Sequence, residues 1–222
     1  MAGKLIVIDG IDGSGKRTQA EQLMVRWERE GKKVSFFDFP VYGSFFGKMI
    51  GRYLRGEFGS LEKVSPYFAA MLYAQDRLLQ RDAMLASLQR GDIVLCNRYV
   101  QSNLAYQSVR LPLQERDGFI AWNEDMEYAV NRMPKPDAII FLDVSPEIGQ
   151  QLVDKKGGRS YVNGRDLHET SLSFLKHVHG MYRKLAKERG WIVVACEREG
   201  RLLSREEIHN RIDKALKDSP TS

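Results

Sequence analysis

Five short apolar runs recur along the chain: "KLIVID" (4–9), "KVSFFDF" (33–39), "DIVLCN" (92–97), "DAIIFLD" (137–143) and "WIVVAC" (191–196), with longer amphipathic stretches between them. Runs that are continuously apolar, rather than alternating, mark strands buried on both faces. The pattern therefore predicts an α/β domain with a parallel sheet of about five strands, helices on both faces and a site at the carboxyl ends of the strands. Ala20, Leu23, Met24 and Trp27 fall at i, i+3, i+4 and i+7 and predict a one-faced helix that stops at Gly31. From Pro66 to about Arg90 the residues predict one long helix, apolar most of the way round at its start and hence largely buried. Leu175, Val178, Tyr182 and Leu185, then Ile208, Ile212 and Leu216, predict two more. Met24, Met49, Met71 and Met84 read as core. His177 and His179, two residues apart on a helix, point to nearly opposite sides and read as solvated surface, as do the clusters "KERG" and "SREE". The stretch "DKKGGRSYVNGRD" (154–166) has no periodicity and is dense in glycine and positive charge, so it reads as an exposed loop; the tail "KDSPTS" reads as frayed.

Composition narrows this picture. With 222 residues, 43% hydrophobic and 28% charged, the chain can bury one substantial core, and a single domain over 1–222 is expected. A formal charge of +5 suits an anionic partner, whether nucleic acid, an acidic membrane surface or a small polyphosphate, and does not choose among them. The apolar start is too short for a secretory core, and no run approaches the roughly 20 residues that span a bilayer, so a soluble protein with no membrane partner is expected. Cys96 and Cys196 each end an apolar run that reads as a buried strand, which predicts no structural disulfide and a reducing, cytoplasmic setting.

The clearest chemistry lies in "VIDGIDGSGKRTQ" (7–19), where Gly10-x4-Gly15-Lys16 follows a strand and opens a helix. In that context glycines let backbone N–H groups wrap phosphate oxygens, the helix dipole adds positive charge, and the lysine reaches the outer phosphates. Gly10, Ile11, Asp12, Gly13, Ser14, Gly15, Lys16, Arg17 and Thr18 form the candidate phosphate cradle, which the family resemblance described below assigns to ATP. The eighth position of such loops normally gives a hydroxyl to Mg²⁺, but Arg17 has five donors and no lone pair. Thr18 is no simple replacement, because one residue along a helix is a rotation of about 100°. Arg17 is therefore expected to add charge for phosphate instead.

Further motifs follow in order: "DFPVYG" (38–43), "YAQDR" (73–77), "NRYVQSNLAYQ" (97–107) and the basic loop. Tyr73 and Arg77, at i and i+4, put a ring and a guanidinium on one helix face. Asn103 and Tyr106, at i and i+3, can set an amide beside a ring, although ordinary helix packing explains that spacing equally well. Together the motifs resemble the thymidylate kinase family of P-loop nucleoside monophosphate kinases, from residue 4 to about 190. The resemblance implies a three-layer P-loop NTPase fold with a lid at about 154–168. It also implies transfer of the γ-phosphoryl group of ATP to dTMP with Mg²⁺, small-molecule partners rather than nucleic acid, and a homodimer for which the helix at 66–90 is a plausible interface element. By the same resemblance Phe39, Pro40 and Tyr42 lie below the acceptor phosphate, Tyr73 on the thymine face and Arg77 on its edge. Ser102, Asn103 and Tyr106 sit on the base-contacting helix, with Tyr106 disfavouring a 2′-hydroxyl. Asp12 lies near the acceptor sugar hydroxyl, and Arg98 bridges donor and acceptor phosphates. Family members take an extra catalytic arginine from the P-loop or the lid; Gly13 occupies the P-loop place, so Arg159, with Arg165 nearby, is the favoured source. His168 and Glu169 reach the acceptor.

The pattern departs from the family at three positions. Besides Arg17, the family usually has aspartate where this chain has Asn97, whose carbonyl oxygen can accept but brings no charge for Mg²⁺. Many members have arginine where Tyr42 stands. The expectation is that arginines take over part of the metal-side chemistry, with Asp9 and the Asn97 oxygen as the remaining metal candidates. Two alternatives stay open at this point: a nucleoside monophosphate kinase of other base preference, and a catalytically silent nucleotide-binding protein.

Overall fold

The computed structural model describes residues 3–155, 168 and 171–218. The expected lid segment beyond Lys155, with Arg159 and Arg165, lies outside the described residues, as do Glu169 and the last four residues of the tail. The elements run β1 (Lys4–Asp9), α1 (Lys16–Arg29), β2 (Val34–Asp38), α2 (Phe45–Leu54), α3 (Pro66–Leu78), α4 (Arg81–Gln89), β3 (Ile93–Asn97), α5 (Val100–Ser108), α6 (Arg116–Glu124), β4 (Ala138–Asp143), α7 (Pro146–Lys155), α8 (Leu172–Arg189), β5 (Ile192–Ala195), the short hairpin β6 (Glu197–Arg198) and β7 (Arg201–Leu202), and α9 (Arg205–Lys217). All five apolar runs form strands, and they pair in parallel in the order β2-β3-β1-β4-β5.

Helices cover both faces of this sheet, which is why its strands carry continuous apolar runs. Ala20, Leu23 and Trp27 of α1 join Ile208 and Ile212 of α9 on one face, packed on Ile6, Ile8 and Ile140. Leu104 of α5, Phe119 of α6 and Val178, Tyr182 and Leu185 of α8 pack on Val7, Cys96 and Phe141 of the other. A satellite cluster of Ile50, Tyr53 and Leu54 with Ala69 and Leu72 clamps α2 to α3.

The single helix expected over 66–90 is two. A tight turn, in which the Gln80 N–H donates to the Arg77 carbonyl at 2.9 Å, separates α3 from α4. No glycine or proline marks the break; Arg77 turns inward to an ion pair and Arg81 outward to the Asn131 carbonyl at 3.0 Å, contacts made with a segment 50 residues away. Nor is the start of α3 largely buried: Tyr67, Phe68 and Met71 are exposed, so Met71 is not core, whereas Met84 is fully buried. His179 also departs from expectation. Its Nε2 lies 2.6 Å from Asp143 at the end of β4, a carboxylate shared with Arg183, so this face of α8 is tied to the sheet rather than solvated. In "SREE", Ser204 and Glu207 form a reciprocal N-terminal cap for α9.

Candidate active site

The turn after β1 is built for a close anion. Gly10, Gly13 and Gly15 all have positive φ. A Cβ on Gly13 would stand 2.0 Å from the Gly149 carbonyl, so the loop is pressed against α7 with no room for a side chain. Gly15, left-handed, caps α1 and leaves the first N–H groups of that helix at the loop. Lys16 is buried, with Nζ within 3.0 Å of the Gly10 and Ile11 carbonyls and 3.4 Å of Ser14 Oγ. Arg17 extends to Glu21 and Asp38, 3.0 and 3.6 Å away, and both raise its pKa, Glu21 first.

Beside the loop lies a compact charge network. Arg98, immediately after β3, has φ 64°, a left-handed backbone rare for a non-glycine residue and typical of functional sites. Its guanidinium donates to Asp12 Oδ1 at 2.6 Å and Ser102 Oγ at 3.2 Å and lies over the Tyr106 ring, 5.5 Å from its centroid. The Tyr106 hydroxyl donates to Asp12 Oδ2 at 2.8 Å and accepts from the Asp12 N–H at 3.0 Å. Burial works to lower the Arg98 pKa, but Asp12 and its neighbours outweigh it and the net shift is strongly upward. Burial, reinforced by Asp12, pushes the Tyr106 phenol well above its ordinary range. The network thus favours the charged form of the Arg98 guanidinium and the neutral form of the Tyr106 phenol.

Of the residues expected to meet the acceptor, all that are described, Asp12, Phe39, Pro40, Tyr42, Tyr73, Arg77, Arg98, Ser102, Asn103, Tyr106 and His168, line one cavity next to this network. The Phe39–Pro40 bond is cis. The turn around it is held by Asp76, whose carboxylate accepts from the Val41 N–H at 2.8 Å and Ser44 Oγ at 2.6 Å. Arg77 and Asn103 are both buried at the cavity wall. His168 stacks on Tyr106 and its Nε2 lies 2.9 Å from the Tyr53 hydroxyl.

The two residues singled out for metal stand on opposite faces of the sheet. Asp9 is fully buried; its carboxylate accepts from the Gly10 N–H at 2.8 Å, Ser102 Oγ at 2.8 Å and the Tyr182 hydroxyl at 2.7 Å, with Arg98 at 3.8 Å, and is committed to the fold. Asn97, on the α1 face, donates from Nδ2 to Asp38 Oδ1 at 2.7 Å, while its buried Oδ1 has no hydrogen-bond partner among the described residues. The carboxylate on this face is therefore Asp38, one strand over. Among the described residues no group of three or more His, Cys, Asp or Glu side chains could hold a metal.

Sequence reading missed Asp38, Asp76, Tyr182 and Glu127. The first two lie inside motifs already singled out, and a carboxylate beside a phosphate loop or beside the arginine expected at the base was the available signal. Tyr182 was read as core, which it is, but its hydroxyl anchors Asp9. Glu127, which pairs with Arg77, has no local signal at all.

The comparisons with known proteins agree with this geometry. The profile of the thymidylate kinase family matches residues 8–212. A thymidylate kinase of Mycobacterium tuberculosis (strain ATCC 25618 / H37Rv) is 33% identical over 197 residues, covering 87% of this chain and 92% of that protein. A probable thymidylate kinase of Methanocaldococcus jannaschii is 32% identical over 216 residues, covering 97% and 96%. The solved structure of thymidylate kinase from Candida albicans shares the fold, with a TM-score of 0.75 at 20% identity over 99% of this chain and 93% of that one. With the phosphate loop, the Arg98 network and the cavity in one place, and the family match spanning nearly all of the sequence, the chain belongs to the thymidylate kinase family.

Proposed function

We propose that this protein transfers the γ-phosphoryl group of ATP to dTMP, giving ADP and dTDP, a step of dTTP biosynthesis. One observation carries the reading: the described residues expected to meet the acceptor, drawn from segments between Asp12 and His168, line a single cavity that opens beside the P-loop. The loop N–H groups and Lys16 hold the donor phosphates, while Tyr73 and Arg77 meet the base. Asn103 reads the base edge, and Tyr106 crowds the sugar.

Phosphoryl transfer of this kind needs alignment and charge neutralisation more than covalent help. Arg98, held by Asp12, Ser102 and the Gly10 carbonyl, stands between loop and cavity and neutralises charge on both phosphate groups. Asp12 orients Arg98 and faces the acceptor sugar. Arg159 of the lid completes the cationic set; Arg159→Ala is expected to lower the rate by orders of magnitude while dTMP binding survives.

The oxygens of Asp38 and Asn97 suit Mg²⁺, which takes one or two protein oxygens and fills the rest of its shell with phosphate and water. When bound, the ion neutralises phosphate charge. Asp38 and Asn97, rather than the internally committed Asp9, are the residues to hold it.

The exposed Tyr67, Phe68 and Met71 support a homodimer through α3, for which sedimentation should return twice 25.5 kDa. No described helix is long and apolar enough to cross a membrane. Two buried free thiols suit a reducing cytoplasm; burial pushes that of Cys196 up to about 12.

The test is ADP release with dTMP, dUMP, UMP and dGMP, with and without Mg²⁺. Fastest turnover with dTMP, dependent on the metal, is expected. Faster turnover of UMP or dGMP would reassign the base preference, and ATP binding without ADP release from any acceptor would mark a silent nucleotide binder.

A further inference from the structure

Arg77 does not stand alone at the cavity wall. Its side chain is 3% exposed and that of Glu127 is 0%. Nε donates to Glu127 Oε1 at 3.0 Å, Nη2 donates to the same oxygen, and Nη1 reaches the Tyr99 carbonyl at 3.4 Å. A guanidinium carries five N–H donors in a rigid fork, so these bonds fix the plane of the fork without exhausting it.

Glu127 sits in a π-helical turn, Asp125–Val130, that continues α6. Such turns are uncommon and collect at functional sites. The same stretch backs the other base-side residue as well: Asn123 of α6 accepts from Asn103 Nδ2 at 3.3 Å. One continuous segment thus supports from behind both side chains that face the base. Packing alone would not require this arrangement, because a buried ion pair can often be replaced by apolar residues of similar volume without loss of stability. A cation held rigidly at a cavity wall is what recognition of a polar base edge requires.

We infer that Glu127 is a positioning residue for acceptor recognition, setting the plane in which the Arg77 guanidinium meets the nucleotide base. The inference rests on the reading of Arg77 as a base contact given above. Glu127→Gln leaves a buried cation without its counter-charge and can fail to fold. Glu127→Asp, which keeps the charge and withdraws the carboxylate by one methylene, is therefore the deciding variant. The measurements are the KM for dTMP, the KM for ATP, kcat and the thermal midpoint, for native protein and variant side by side. Since loss of a well-placed hydrogen bond to a charged group costs about tenfold or more in affinity, the KM for dTMP should rise by about tenfold or more, with kcat and the KM for ATP within about threefold. An unchanged dTMP KM, or a rise matched by that for ATP, overturns the positioning role. Native protein that does not phosphorylate dTMP overturns the functional reading itself, whereas an active native enzyme with an indifferent variant overturns only the role of Glu127.

Discussion

The pair Asn97–Asp38 allows a sharp test of how charge is laid out at the carboxyl end of β3. Asn97→Asp replaces a donor by an acceptor at 2.7 Å from the Asp38 carboxylate. The lost bond to a charged acceptor is worth roughly 1.5–3 kcal/mol. Two like charges 4 Å apart repel by about 4 kcal/mol at an effective dielectric constant of 20, an upper figure here. Asp38 is 37% exposed and has Arg17 at 3.6 Å, so water and a counter-charge cut the repulsion well below that. A net loss of about 2–3 kcal/mol follows, which for a chain of this size lowers the melting temperature by roughly 4–12 °C. The sign of the pH dependence is fixed. A shared proton relieves the carboxylate pair, so the folded variant binds a proton more tightly than the unfolded chain; the deficit should be largest at pH 8 and shrink as pH falls toward the carboxylate range. Mg²⁺ should recover more stability in the variant than in native protein, and Asp38→Asn with Asn97→Asp should restore the native value, the two side chains having exchanged roles. Thermal melts at pH 8 and pH 5, with and without Mg²⁺, measure all of this. A variant as stable as native protein at pH 8, or one that loses more at pH 5, would refute the reasoning.

Three further outcomes follow from the site and its support. Gly13→Ala demands a positive φ of a residue with a Cβ and sets that Cβ 2.0 Å from the Gly149 carbonyl, so ATP affinity measured by calorimetry should fall by at least about tenfold; native affinity would mean that the loop and α7 part freely. Tyr106→Phe removes the hydroxyl bonded to both the Asp12 carboxylate and its N–H but keeps the ring; kcat/KM for dTMP should drop about tenfold while discrimination between dUMP and UMP survives, and loss of that discrimination would move sugar selection from ring to hydroxyl. The Asp143 side chain is largely buried; burial opposes its ionisation, but His179 and Arg183 prevail and hold its pKa below the usual carboxylate value. A depressed carboxylate stabilises the fold above its unfolded pKa and ceases to do so as pH falls through the folded one, so Asp143→Asn should cost about 1–2 kcal/mol at pH 7 in urea titrations and progressively less below about pH 4; a cost independent of pH would remove the ionic explanation.

What the sequence disclosed and what it withheld divide along the range of the forces involved. The five strands, α1, α8 and α9 were legible because each announces itself within one element, by an apolar run or a 3.6-residue repeat, and burial against a neighbour enforces what the pattern proposes. The phosphate loop was legible for the same reason, its glycines being demanded by the backbone they occupy. The break between α3 and α4, the tie of His179 to Asp143 and the support of Arg77 by Glu127 depend on partners 36 to 50 residues distant, and nothing within reach of a helical repeat encodes them.

The same division governs the two strand-end residues singled out for metal. Asp9 and Asn97 were chosen as candidates from their places at strand ends, which the sequence gives correctly. Whether a carboxylate there is open to a ligand depends on what has already claimed its oxygens. Tyr182, 173 positions away, donates to Asp9 from α8, as Ser102 does from α5, while Asn97 hands the charge on its face to Asp38 of the neighbouring strand. In-register pairing of β2 with β3 is what makes that transfer possible, since Asp38 stands directly opposite Asn97. Register is set by the apolar residues beneath, Phe36 with Leu95 and Phe37 with Cys96, so the hydrophobic pattern that first disclosed the sheet also fixes which carboxylate faces the P-loop helix.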